Sequence, residues 1–352
     1  TTLLSLSFST SPKQLLSHSA LSQYDQAIDY YTQSIRVFKQ IQERKGEAHA
    51  LMNLGNTYRM QSQYDKAMSS YQKALPVFYE VGDREGQVLI FSNIGQLLLK
   101  QNKIQLAIVF FKASINIRED IRGDIQSLSL ELQQSYIDAV ASDYRLLAEL
   151  LISEGRFLES LQVLELLKAE EIREYTRGTV TNIQTGDIKL SPVETDIINK
   201  HDSIVQLGLK IDDCEAAVRS CSEEERLNWY RDRTTLTTEW NTLITSLERA
   251  VSPVAPNPRD LITEGVSEVL EAQPNTVLIY PVVLKDRLVL LWATRGGVAN
   301  AIEVPQVTES DINRAAFEFR RLMRQCEISG CTAEDIPTIQ SVAQQLHQWL
   351  LP

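Results

Sequence analysis

No apolar run in this chain approaches the roughly 18 residues needed to cross a bilayer as a helix, so no membrane span is expected. Cysteine is scarce: Cys214, Cys221, Cys326 and Cys331 are all there are in 352 residues. A chain of this length does not need disulfides to hold a core, and the thiols are expected to be reduced and cytoplasmic. Cys326 and Cys331 have no histidine or second cysteine pair beside them, so no metal site is expected. There are four histidines, and no HExxH, CxxC or Gly-x-Ser-x-Gly. There is no Gly-rich phosphate loop, Gly296-Gly297 reading as a hairpin turn. No cofactor is expected. Leu3 to Phe8 is apolar but short, with no basic segment before it and no small-x-small site after it, and is not expected to be a secretory signal.

What is present is the composition of a globular protein: 43% apolar and 23% charged residues, on a length that suggests two or three domains. The net charge of −11 is uneven, +3 over residues 1–120 and −14 over the rest. The acidic part argues against nucleic acid as a ligand. Paired acids such as Asp212-Asp213 and Glu170-Glu171 fall in helical charge patterns and read as solvated faces.

The chain repeats itself at a spacing of 40. Tyr24, Tyr64 and Ile104 align, as do Ala27, Ala67 and Ala107, and Tyr31, Tyr71 and Phe111. Asn53-Leu54-Gly55 aligns with Asn93-Ile94-Gly95, and Gly46 and Gly86 mark unit boundaries. Leu51, Leu54 and Tyr58 share one helical face. Gly55 and Ala67 are small enough for two helices to cross closely, and Gln61-Ser62-Gln63 is a polar turn. Such a pair cannot bury its own face, so units stack into a solenoid.

Residues 48–75, AHALMNLGNTYRMQSQYDKAMSSYQKAL, resemble the tetratricopeptide repeat at nearly every signature position, with Leu51 where Trp is usual. The family repeat has about 34 residues; the added length is expected in a longer second helix and a loop from Pro76 to Gly86. The resemblance implies a helical solenoid over 1–178, with its best units at 48–87 and 88–120 and a divergent one at 144–172. In this family the first helix of each unit lines a concave groove. That places His49, Met52, Asn53, Asn56 and Arg59 in a groove, followed by Leu89, Ser92, Asn93, Gln96 and Leu99. Asn side chains there can hold a peptide backbone, offering donor and acceptor together; the alternative is that Asn53 and Asn93 only bridge neighbouring repeats.

Residues 179–192 read as a loop. After it Ile197, Ile204, Ile211 and Val218 recur every seven residues, and Ser222 to Glu225 is a capping box opening a second helix with Trp229, Leu236, Trp240, Leu243 and Leu247. A helical hairpin over 193–250 that packs on its neighbours is expected, with a dimerising coiled coil as the alternative. Ser252 to Pro258 is a Pro-rich boundary, followed by a helix near 259–271. Then Val277–Val283, Arg287–Thr294 and Ala299–Val304 read as a three-stranded meander, with Pro281 favouring an edge or a bulge. Thr308 and Asp311 cap a helix carrying Ile312, Ala315, Phe319, Leu322 and Cys326. A last helix spans about 337–351.

The order of repeats, charged hairpin and the meander TVLIYPVVLKDRLVLLWATRGGVANAIEVP resembles a CHAT protein, a caspase-like peptidase domain attached to tetratricopeptide repeats. Segments 143–171 and 171–178 are similar to cyanobacterial members. The resemblance implies a mainly α chain, the solenoid followed by the hairpin and a partial α/β caspase-like domain over 259–352. The family's catalytic His and Cys lie on loops after later strands. No segment here matches those motifs: His347 is expected on a helix, Cys326 on an apolar helix face and Cys331 in a turn. No catalytic residue is therefore expected within this chain. The expected function is capture of a protein or peptide, as the recognition arm and incomplete front end of a cysteine peptidase. The alternatives are a fragment of an active endopeptidase whose dyad lies beyond Pro352, and a non-catalytic scaffold.

Overall fold

The computed structural model describes residues 12–164, 166, 187–215, 220–249, 277–284, 286–294, 299–304, 306–329, 332 and 335–350. The loop over 179–186, the helix near 259–271 and the Gly296-Gly297 turn expected above lie outside these residues. The chain divides into two compact units, each made of two separate stretches: residues 1–133 with 184–253, and residues 134–183 with 254–352.

In the first unit, α1 (Pro12–Gln40), α2 (Arg44–Met60), α3 (Tyr64–Glu80), α4 (Arg84–Lys100) and α5 (Ile104–Asp124) follow one another as antiparallel neighbours. The turns are identical in design. Gln42, Ser62, Gly82 and Asn102, spaced 20 apart, each take a left-handed φ of 56 to 68°. The next amide then closes back over five residues: Glu43 N to Phe38 O, Gln63 N to Tyr58 O, Asp83 N to Phe78 O and Lys103 N to Leu98 O, each at 2.9 Å. This is the Schellman closure, which satisfies carbonyls the helix end leaves open. The 40-residue period is thus two 17-residue helices and two three-residue turns.

The extra length over the family repeat lies in part in a longer second helix, as expected, but not in an extended loop after Pro76. Helix α3 runs through Pro76 to Glu80. An interior proline costs about 3 kcal/mol, but ending the helix there would release Val77 and Phe78, which are buried. Gly82 has open space around its Cα and a φ of 68°. Gly82→Ala is therefore expected to cost about 1 kcal/mol through backbone conformation alone, read as a lower urea midpoint at unchanged m-value.

Gly55 and Gly95 serve a different purpose. A Cβ on Gly55 would lie 2.6 Å from the Tyr71 ring, and one on Gly95 2.8 Å from the Phe111 ring. Each glycine lets an aromatic from the second helix of its pair pack against the backbone of the first.

The helical hairpin folds back onto this unit. Helix α8 (Pro192–Glu215) and α9 (Glu223–Arg249) pack together; α8 lies on α3 and α5, and α9 on α5. The heptad residues Ile197, Ile204 and Ile211 are buried. The capping box is present: Ser222 N donates to Glu225 and Glu225 N to Ser222 Oγ.

The second unit pairs helix α6 (Leu130–Ser153, in this unit from Gln134) with α7 (157–164), through the same turn, Gly155 having a φ of 70° and Arg156 N reaching Leu151 O at 2.8 Å. Strands β1 (Val277–Val283), β2 (Leu288–Thr294) and β3 (Ala299–Val304) form an antiparallel sheet in that order. Val283 pairs with Leu288, and Leu288 with Val304. Strand alternation sends Val289 and Leu291 to one face, where Ile152 and Leu161 pack, and Leu288 and Leu290 to the other. That second face is covered by Ile312 of α10 (Glu309–Ser329) and by Trp349 and Leu350 of α11 (Asp335–Leu350). Thr308 and Asp311 form the expected capping box. No described helix is long and apolar enough to cross a membrane.

Candidate functional site

Two surfaces of the repeat unit carry polar side chains in fixed places: one on the first helices, α2 and α4, and one on the second helices, α3 and α5.

On the first, Asn53, Leu89, Asn93 and Leu99 are half-buried and Gln96 is exposed. The other groove residues named from sequence turn inward to different degrees. Met52 is buried. Ser92 is buried and shares a 2.8 Å hydrogen bond with Ser114 of α5. Asn56 Oδ1 accepts from the Tyr71 hydroxyl at 2.8 Å. Burial raises the Tyr71 phenol pKa, and Arg59 beside it works the other way. The His49 ring lies edge-on to Phe78 at 5.1 Å, with Nε2 3.7 Å from Asp83. Burial works to raise the Asp83 pKa, but its bonds from Lys45 and the Gly86 amide and the nearby positive charges hold it below the usual carboxylate range. Asn53, Asn93, Gln96, Leu89 and Leu99 are the side chains left to meet a partner.

The second surface is already occupied. Lys112 of α5 and Glu194 of α8 have fully buried side chains, 3.0 Å apart. Lys112 also donates to Lys189 O at 3.2 Å, and Glu194 accepts from Ser191 N at 2.8 Å. The Asn116 amide pairs with the backbone of Ile188 in both directions, at 2.8 and 3.0 Å. Buried His201 sits between Phe110 and Trp240, with ring centroids 5.1 and 6.0 Å away. Tyr79 donates to Asp202 at 3.4 Å. Burial, and secondarily that carboxylate, drive the Tyr79 phenol well above its ordinary pKa.

These contacts explain why the hairpin sits where it does. One and two repeats earlier, Lys112 becomes Gln72 and Thr32, and Asn116 becomes Pro76 and Arg36. Only the α3–α5 groove offers a buried ammonium and an amide clamp. The preceding groove is instead an open cleft of about 1120 Å³, floored by Leu51, Val77 and Val205. Sequence reasoning passed over Lys112 and Glu194. The available signal was a lysine inside the apolar run Leu106 to Ile115.

The cysteines differ from expectation. Cys214, on the last turn of α8, and Cys221, just before the α9 cap, form a disulfide with Cα atoms 5.9 Å apart, and Cys326 is also disulfide-bonded. The short α8–α9 connection brings the first pair together, where reduced thiols had been expected. His347 lies exposed on α11. Among the described residues no group of three or more His, Cys, Asp or Glu is placed to hold a metal ion. The arrangement can hold a polypeptide through amides and apolar contacts.

No curated protein and no solved structure matches this chain. Residues 16–80 and 46–120 match the family model described as tetratricopeptide repeat, and the helix pairs α2–α3 and α4–α5 are repeats of that kind.

Proposed function

We propose that this chain is the recognition arm of a CHAT-type cysteine peptidase, and that it captures a protein or peptide along α2 and α4. The observation that carries the binding face is the position of the hairpin. It covers the second helices α3 and α5, while Asn53, Asn93 and Gln96 stay accessible on the first helices. Asn53 and Asn93 hold the partner's backbone, and Leu89 and Leu99 receive apolar side chains. An antiparallel three-stranded sheet with helices on both faces supports the reading of the C-terminal part as the front of a caspase-like domain.

Two experiments test this. Asn53→Ala with Asn93→Ala is expected to weaken capture of the parent protein's partner about thirtyfold, one net hydrogen bond per residue being worth about 1 kcal/mol, at unchanged helical circular dichroism. Unchanged capture would remove the groove assignment. Sequencing the reading frame downstream of Pro352 tests the peptidase part. It is expected to continue into strands followed by His and Cys; a stop codon there would leave a non-catalytic scaffold.

A further inference from the structure

Helix α9 is anchored by burial at one end only. Its buried residues are Ile244 and Leu247, near its C-terminus. Close to them Trp240 Nε1 donates to Ile197 O at 3.1 Å, and Lys200 pairs with Glu239 at 2.6 Å. From Cys221 to Leu243 every residue is exposed or half-buried, Leu227 and Tyr230 being exposed. Removal of apolar surface from water therefore does little to hold the N-terminal half of α9 on α8.

The facing end of α8 has the same weakness. Ile211 is buried, but Asp212, Asp213, Cys214 and Glu215 after it are not. Three of these four are acids and the last turn has no basic residue, so the helix macrodipole opposes them. Asp212 pairs with Lys73 of α3 at 3.3 Å, and the Tyr230 hydroxyl donates to Glu215, both on the surface. Pairs in such places contribute little. The covalent tie between the two ends is the Cys214–Cys221 disulfide, both of whose residues stay partly open to solvent. Its position bears on the open cleft beside α3. Asp212, Asp213 and Glu215 are an acidic part of that cleft's lining, and the Lys73–Asp212 pair joins them to α3.

We propose that Cys214 and Cys221 are a reversible thiol–disulfide site, reduced by a dithiol, whose state decides whether the hairpin tip and the acidic wall of the cleft are held or free. In the reduction a thiolate of the dithiol attacks one of the two sulfurs. The Sγ–Sγ bond breaks, and its electron pair leaves with the other sulfur, which takes up a proton. The second thiol of the reductant then attacks the mixed disulfide and expels the remaining cysteine, giving two protein thiols and one oxidised reductant. The buried part of α8, from Ile197 to Ile211, stays packed, and the tip beyond it opens. This site is separate from the α2–α4 groove and does not depend on it.

The test is amide hydrogen exchange of the full chain with and without dithiothreitol. Reduction is expected to speed exchange about thirtyfold over residues 223–235, the lower end of what a disulfide usually contributes, and to leave residues 64–80 and 197–205 unchanged. Oxidised glutathione should restore slow exchange in the unaltered chain. Cys214→Ser with Cys221→Ser should exchange fast without reductant and ignore it, which separates this disulfide from that of Cys326. Alkylation of Cys214 and Cys221 before any reductant is added would overturn the proposal. So would exchange over 223–235 that reduction leaves unchanged, or a response to dithiothreitol there that survives in the double variant. Acceleration that spreads to residues 64–80 would overturn it too, since the disulfide would then hold the whole repeat unit and not the tip.

Discussion

Lys112→Met is expected to destabilise the repeat unit by about 3–5 kcal/mol, the usual cost of leaving one partner of a buried pair without its counter-charge. The carboxylate of Glu194 stays fully buried and retains its bond from Ser191 N, but loses the ammonium. Helix α8 should detach at its first turn, and the segment clamped by Asn116 should follow it. Urea denaturation would show the loss, and limited proteolysis would show new cleavage near residues 187–192. Adding Glu194→Gln should restore at least half the stability, because a neutral amide can still accept from Ser191 without a buried charge. A single-variant cost under about 1 kcal/mol would mean that the pair is solvated and does not hold the hairpin.

That pair marks where the sequence stopped being legible. Helices and strands followed from local chemistry. Two capping boxes, an apolar β-branched run at Val277 to Val283, and a 40-residue recurrence each declare themselves within a short window. Lys112 and Glu194 are 82 residues apart, and nothing local to either announces the other. At Pro76 the longer second helix was expected, but how far it runs was not, for the opposite reason. Its local preference is to stop a helix, and the burial of Phe78 two residues later outweighs it. The cysteine pair was missed because four cysteines in 352 residues are too few to suggest a disulfide framework.

The candidate groove rests on position within the motif; of its residues, Asn53 and Asn93 are half-buried and Gln96 is exposed. The motif does not tell which polar side chains are drawn inward by a neighbour's hydroxyl. Asn56 goes to Tyr71 and Ser92 to Ser114. In both cases the neighbour is on the second helix of the same pair, where the aromatic or small residue is itself part of the repeat signature. The second-helix signature therefore decides which groove positions remain free.

The same coupling sets the other large effect. Gly95→Leu is expected to cost about 3 kcal/mol, at the upper end for overpacking, because its Cβ alone would be 2.8 Å from the Phe111 ring. Phe111 is 3% exposed and cannot swing clear. Phe111→Ala alone should cost about 3–5 kcal/mol by opening a cavity. Together the two should cost less than their sum by about 2 kcal/mol, since the leucine fills the space the ring leaves. Chemical denaturation of the two singles and the double measures this coupling. Strictly additive costs would show that the glycine is needed for something other than the ring. A coupling of the expected size would mean that glycine and aromatic are one unit of packing, and that each substitution of one in such a repeat must be judged with the other.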